Sequence, residues 1–170
     1  MHIPTSSALN EARGKFKLNE RKCILDLQFS RGCLKIPLVR VDDKTDSSFR
    51  NMLAFEHCHN LSDGPDGYIA DYVYFMDFLI NTGKDVDVLI ENGILINGFG
   101  DSDAVAQLFN SLTKNIWFDS ACQYTDLIGE LNAFYYDWWR EKWVTLRRDY
   151  CNTPWVLLLL VLQLQSYFSR

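Results

Sequence analysis

The sequence lacks the residue patterns that would identify a chemistry. No phosphate-binding glycine loop, nucleophile elbow, His-Glu-x-x-His zinc motif or kinase signature occurs in its 170 residues. Its five cysteines, at positions 23, 33, 58, 122 and 151, form no close pair, which excludes a zinc ribbon and a dense disulfide framework. The pattern predicts reduced, buried cysteines in a cytosolic environment. It predicts no metal, no cofactor and no catalytic residues.

Basic residues are nearly absent from the middle of the chain. Residues 51–137 carry two basic and fourteen acidic side chains, whereas residues 1–50 carry ten basic and six acidic ones. Residues 138–170 are basic again, with five basic and two acidic side chains. Because an acidic surface repels phosphates, this distribution argues against a nucleic-acid partner. The start of the chain also lacks the apolar segment of a secretory signal.

Alternating apolar residues predict a β-hairpin over about residues 23–41. The residues predicted to face inward are Leu25, Leu27, Phe29, Leu34, Ile36 and Leu38. Gly32 suits the positive φ of the turn between the two strands. Pro37 cannot donate a backbone hydrogen bond, which predicts that the return strand lies at the edge of the sheet.

Apolar residues at three- and four-residue spacings predict helices over about residues 49–150. The clearest stripes contain Ile69, Tyr72, Val73, Met76, Leu79 and Ile80, and Val105, Leu108, Phe109 and Leu112. The longest helix is predicted over Thr125–Tyr150, with a stripe that runs from Leu127 to Leu146. The predicted fold class is mainly α with one small β-hairpin near the N-terminus (α+β) and a C-terminal hydrophobic tail helix.

Several polar clusters are better explained by helix structure than by chemistry. The consecutive side chains of EHCH, residues 56–59, point about 100° apart on a helix and cannot converge on one ion. Asp101, within GFGD, is predicted to be a helix N-cap rather than a protease aspartate. Thr82 and Asp85 approach the capping-box pattern at another helix start. The acidic pairs in DVD and DSD are predicted to lie in the first turns of helices, where carboxylates interact favourably with the helix dipole.

The aromatic segment FYYDWWREKW, residues 134–143, has three interpretations. Its side chains could form a stacking platform for a ligand, or they could pack a helix against a neighbour. They could also form an aromatic belt at a membrane surface.

The apolar run near the C-terminus predicts a short membrane anchor over residues 154–168. Its apolar residues are Pro154, Trp155, Val156, Leu157, Leu158, Leu159, Leu160, Val161, Leu162 and Leu164. As a helix the run would extend about 22 Å, against a hydrocarbon core of about 30 Å, so an interfacial segment or a packed helix are the alternatives. The basic residues that precede it predict a cytosolic N-terminal side; they are Arg140, Lys142, Arg147 and Arg148.

Three segments resemble the C-terminal portion of the plant "domain of unknown function 247" family. They are FRNMLAFEHCH, YIADYVYFMDFLINTGKDVDVLIENGI and LRRDYCNTPW, and they occur in the order in which the family has them. The stretch ALNEARGKFK also resembles the family's lead-in to the hairpin. The similarity covers most of residues 3–155.

The resemblance implies a domain organisation. Residues 1–150 would be the C-terminal part of the family's domain, followed by the anchor at residues 154–168. Family members are much longer and have an N-terminal half that this sequence lacks, which implies a truncated member.

The resemblance also implies a function. Family members are associated with membranes, often the plasma membrane, and some grass members resemble male determinants of self-incompatibility. The function predicted on this basis is a membrane-tethered recognition or protein-interaction module at the plasma membrane, rather than an enzyme. Membrane lipid and an unidentified protein would be its partners. The alternative is a soluble helical adaptor, or a non-functional fragment whose tail helix packs.

Overall fold

The computed structural model describes residues 3–21, 23–59, 67–115 and 122–150. The chain divides into a first compact unit, residues 1–134, and a second, residues 135–170. The described residues are mainly helical with small sheets, which confirms the mainly α class with a β component. The predicted tail helix at residues 154–168 lies outside the described residues.

Four of the described strands follow the first short helix, and the remaining elements are mostly helices. The helices are α1 Ser6–Glu11, α2 Thr45–His59, α3 Tyr68–Leu79, α4 Gly83–Glu91, α5 Ser102–Leu112 and α6 Thr125–Tyr150. The strands are β1 Lys15–Asn19, β2 Gln28–Ser30, β3 Cys33–Pro37, β4 Val39–Val41 and β5 Leu95–Asn97. The bounds of α6 are those predicted from its apolar spacing.

The predicted hairpin is confirmed around its turn but is shorter than expected. Strand β2 pairs antiparallel with β3, and the turn residues Arg31 and Gly32 have φ values of 50° and 74°. Two positive φ values match the right-handed twist of the flanking strands. The predicted start of the first strand at Cys23 is wrong, because the Asp26 N–H donates to the Cys23 carbonyl at 3.2 Å and closes a turn there.

Strand β3 lies in the centre of a three-stranded sheet, so its predicted position at an edge is wrong. The strand order is β1-β3-β2, and β1 pairs with β3 in parallel. Pro37 is the last residue of β3, where the ladder ends and a missing N–H costs little. The sequence reading missed β1, whose parallel pairing depends on a distant partner.

Leu38 separates β3 from β4 and changes which residues face the core. Strand β4 pairs in parallel with β5 in a second, two-stranded sheet. Leu34 and Ile36 are buried as predicted, but Pro37, Val39 and Val41 are the next buried residues and Leu38 is 43% exposed. The predicted inward position of Leu38 is wrong because the alternation shifts by one residue between the two sheets.

The predicted apolar stripes of α3 and α5 are confirmed and form the centre of the first unit. All their predicted residues except the partly buried Ile69 are buried. Phe49 of α2 stacks on Tyr72 of α3, with ring centroids 6.2 Å apart, and lies 6.3 Å from the ring of Phe109 of α5. Three helices therefore meet around one aromatic cluster.

Replacing Gly32 by alanine is expected to destabilise the first unit more than the same change at Gly93. Both glycines have positive φ, 74° and 68°, so alanine at either costs about 1–2 kcal/mol of backbone strain. A Cβ at Gly32 would also lie 2.7 Å from a ring atom of Phe134, whereas Gly93 has nothing within 4 Å. Overpacking should add roughly 1–3 kcal/mol at Gly32 alone. Denaturant unfolding of both variants measures the difference; equal losses would show that the Phe134 contact is absent.

Candidate functional site

Asp85 joins α1 to the start of α4. The residue is 1% exposed, and its carboxylate accepts hydrogen bonds from the Ser7 N–H at 2.9 Å, the Ser7 hydroxyl at 2.6 Å and the Thr82 N–H at 2.9 Å. Burial alone would raise the pKa of Asp85, but the hydrogen bonds from Ser7 and Thr82 outweigh it and hold the pKa below its ordinary value. A general base needs a pKa near the working pH, so Asp85 is suited to a structural role.

The acidic residues of DVD and DSD lie near the N-termini of α4 and α5. The predicted first-turn position is confirmed for Asp85 and Asp103, whereas Asp87 lies in the second turn of α4. Asp103 accepts the Gly83 N–H at 3.0 Å, and Asp87 accepts the Ser102 hydroxyl at 2.6 Å. Asp101 is the predicted N-cap of α5 and accepts the Asp103 N–H at 3.0 Å. Asp87, Asp101 and Asp103 line a polar cleft of about 420 Å³. The carboxylates of Asp101 and Asp103 satisfy N–H groups at helix termini, and that of Asp87 accepts the Ser102 hydroxyl.

Glu56 has a structural role that the sequence reading missed. Its two carboxylate oxygens accept the N–H groups of Ile69 and Ala70 at 2.8 and 2.9 Å, so it caps the first turn of α3. The neighbouring His57 and Cys58 are exposed. Within the described ranges, no group of His, Cys, Asp and Glu side chains is arranged to hold a metal ion.

The prediction of buried cysteines is wrong for the four that the structure describes. All four are free thiols; Cys23 and Cys58 are exposed, and Cys33 and Cys122 are half-buried. Burial is the main cause that raises the pKa of the Cys122 thiol. A raised pKa keeps the thiol protonated and therefore a poor nucleophile.

Two tyrosines of the first unit hold their hydroxyl groups inside the protein. The Tyr124 hydroxyl donates to the Leu25 carbonyl at 2.8 Å, which attaches the start of α6 to the segment before β2. The Tyr72 hydroxyl is buried and has no hydrogen-bond partner among the described residues. Burial raises the pKa of both groups, so neither ionises near neutral pH.

The second unit exposes a row of large apolar side chains on α6. Tyr136, Trp139, Trp143 and Leu146 are 60%, 40%, 62% and 50% exposed and follow one another at intervals of three, four and three residues. At about 100° per residue they occupy an arc of about 80°, one face of the helix. We call these four residues the aromatic stripe. An apolar face of this kind is normally covered by another structural element.

Basic side chains lie on both sides of the aromatic stripe. Arg140 and Arg147 flank one side, Lys142 flanks the other, and all three are exposed. A groove of about 370 Å³ runs along the arginine side and is lined by Arg140, Trp143, Val144, Leu146 and Arg147. The stripe therefore combines apolar area, a concave edge and positive charge.

The residues predicted to form the membrane site are only partly described. Arg140, Lys142, Arg147 and Arg148 lie in α6, as the sequence predicts, but the side chain of Arg148 is not among those described. All the predicted anchor residues, within 154–168, also fall outside the described ranges.

The predicted location at the plasma membrane is corrected. In the described part of the chain, no helix has both the length and the apolar character needed to cross a bilayer. Helix α6 is long enough, but charged residues are spread along its sequence. The membrane location is therefore not retained. Membrane lipid as a partner stays a prediction, because the residues predicted to contact it lie outside the described ranges.

The described residues thus define a mainly helical α+β protein whose acidic clusters serve its helix termini. The profile of a plant protein family of unknown function, domain of unknown function 247, matches residues 1–166, and the chain belongs to this family. The resemblance found in the sequence is confirmed.

Two curated relatives from Arabidopsis thaliana show how much of a family member the chain represents. The chain is 29% identical to the UPF0481 protein At3g47200 over 148 residues, which cover 85% of this chain and 30% of that protein. It is 25% identical to a second UPF0481 protein, At3g02645, over 97% of this chain and 32% of that protein. The chain therefore spans about a third of the length of these relatives. No solved structure matches it.

Proposed function

We propose that the protein is a protein-interaction module, and that the aromatic stripe of α6 is the surface that binds its partner. The observation that carries this proposal is the exposure of Tyr136, Trp139 and Trp143 on one helix face. Tryptophan and tyrosine dominate the energetics of protein interfaces because they bury large, rigid areas. Each such side chain contributes roughly 2 kcal/mol when it leaves water.

The spacing of the stripe favours a helix as the partner element. Intervals of three and four residues produce the seam along which two helices pack side by side. From Tyr136 to Leu146 the seam extends about 15 Å, roughly one and a half heptads. A contact of this length supports reversible binding rather than a permanent assembly.

The first unit supports an interaction role over an enzymatic one. Its buried or half-buried carboxylates, those of Asp85 and Glu56, accept hydrogen bonds from backbone N–H groups. The Cys122 thiol has a raised pKa. Groups engaged in this way are poorly placed to act as a base or a nucleophile.

Replacing Trp143 by alanine is expected to weaken partner binding about tenfold to a hundredfold, the usual effect at an interface hot spot. Proteins that co-purify with the chain would be identified by mass spectrometry, and binding would be re-measured with each purified candidate. Tyr68→Ala is the matched control, because Tyr68 is also a 50% exposed aromatic but lies on α3. Equal affinities of a reconstituted partner for both variants and for the unmodified chain would contradict the proposal.

A further inference from the structure

We infer that the aromatic stripe binds an amphipathic helix that carries acidic residues beside its own apolar seam. This inference rests on the proposed function and specifies the chemistry of the partner. The observation that carries it is the placement of charge around the stripe on α6.

The three basic residues occupy the positions that flank a helix–helix seam. In heptad terms, Tyr136 and Trp143 occupy the a positions of the seam, and Trp139 and Leu146 occupy the d positions. Arg140 and Arg147 then occupy the e positions on one side of the seam, and Lys142 occupies a g position on the opposite side. Flanking positions of this kind set partner choice, because their side chains meet those of the neighbouring helix.

Acidic residues of the same helix segment lie away from the seam. Counting about 100° per residue, Asp137 and Glu141 fall roughly 140° and 180° from the centre of the stripe. Arg140 is 3.8 Å from Asp137 in a largely exposed ion pair, which holds the arginine only weakly. Lys142 lies 4.3 Å from the centre of the Trp138 ring, and Arg147 has no ion-pair partner among the described residues. The flanks therefore present positive charge that is at most weakly compensated to whatever covers the stripe.

A second copy of this helix fits poorly against the stripe. In a parallel pair, Lys142 of one copy would face Arg147 of the other. In an antiparallel pair, each basic flank would face its own counterpart. Like charges in direct opposition destabilise both arrangements, whereas acidic flanks on a different helix would be attracted in either.

Two synthetic helical peptides test the inference with the full 170-residue chain. Both peptides carry the same leucine and isoleucine seam; one has glutamate at every flanking position and the other has lysine. Fluorescence anisotropy should show that the glutamate peptide binds at least about tenfold more tightly at low salt, since three exposed ion pairs together produce a change of that size. The preference should shrink in molar salt.

Charge reversal supplies the matched variants. The triple variant Arg140→Glu, Lys142→Glu and Arg147→Glu should reverse the preference toward the lysine peptide. Glu141→Lys, on the far face of the same helix, should leave it unchanged. Trp143→Ala should weaken the binding of both peptides, because both carry the same apolar seam.

The possible failures are distinguishable. Equal binding of both peptides, with loss in Trp143→Ala, would overturn the acidic partner and leave the proposed interaction surface standing. Binding that Trp143→Ala does not alter would overturn the interaction surface itself. A dimer of the chain that disappears in Trp143→Ala would identify a second copy as the occupant. Binding to phosphatidylserine vesicles, with no preference between the peptides, would identify a lipid surface as the occupant. Dimerisation or vesicle binding of this kind would each overturn the inference.

Discussion

Leu27→Asp is expected to lower the free energy of unfolding of the first unit by about 4 kcal/mol. Leu27 is 8% exposed and belongs to the hydrophobic core. The change removes roughly 2 kcal/mol of apolar burial and leaves a carboxylate without a partner, which adds roughly 1–3 kcal/mol. For a domain whose total stability is about 5–15 kcal/mol, this is a large fraction. Denaturant unfolding followed by circular dichroism measures it.

Leu38→Asp is the matched control for that prediction. Leu38 belongs to the same predicted hairpin, but it is 43% exposed at the junction of the two sheets. Its aspartate would remain in water and should cost less than about 1 kcal/mol. Similar losses for the two variants would contradict the register shift between β3 and β4.

Asp85→Ala is expected to destabilise the first unit by about 3 kcal/mol. The change leaves the Ser7 and Thr82 donors without their acceptor in a site that is nearly closed to water. Hydrogen bonds to a charged group contribute more than neutral ones, and unpaired buried donors add a further penalty. Asp87→Ala is the control on the same helix, because Asp87 is exposed and accepts one bond, from Ser102. It should cost below about 1 kcal/mol.

The loss in Asp85→Ala should depend on pH in a defined direction. Because the pKa of Asp85 is held below its ordinary value in the folded protein, its contribution is complete above the unfolded pKa of about 3.9. The contribution is lost as the pH falls from there through the folded pKa. The difference in unfolding free energy between the unmodified chain and Asp85→Ala should therefore narrow in acid. A difference that stays constant from neutral pH to strong acid would show that Asp85 is not held as an anion.

Local patterns in the sequence predict the helices well and the sheets poorly. The bounds of α6 follow from its apolar spacing, and the caps at Thr82 and Asp101 follow from residues within a few positions of each helix start. The parallel pairing of β1 with β3 joins segments separated by a hairpin arm, and no short pattern encodes it. Glu56 is similarly hidden, because it caps a helix that begins beyond the next loop.

The aromatic segment shows where sequence reasoning about the site ends. The spacing of Ile128, Leu131, Trp139 and Trp143 predicts apolar positions along α6, but periodicity does not say which are covered. In the structure, Ile128 and Leu131 are buried in the first unit, whereas Trp139 and Trp143 are exposed in the second. Of the three interpretations of the aromatic segment, this difference favours helix packing. Because the exposed side chains lack a covering helix in the described part of the chain, we propose that a partner protein supplies it.

Hydrogen exchange of the chain with and without the glutamate-flanked peptide tests the central claim most directly. Amide exchange followed by mass spectrometry reports, segment by segment, which backbone hydrogen bonds open less often when a partner is bound. Binding at the aromatic stripe predicts slower exchange over residues 136–147 and unchanged exchange in α3 and α5. Protection centred on the acidic cleft of α4 and α5, or binding with no change over residues 136–147, would contradict the assignment of α6 as the docking surface.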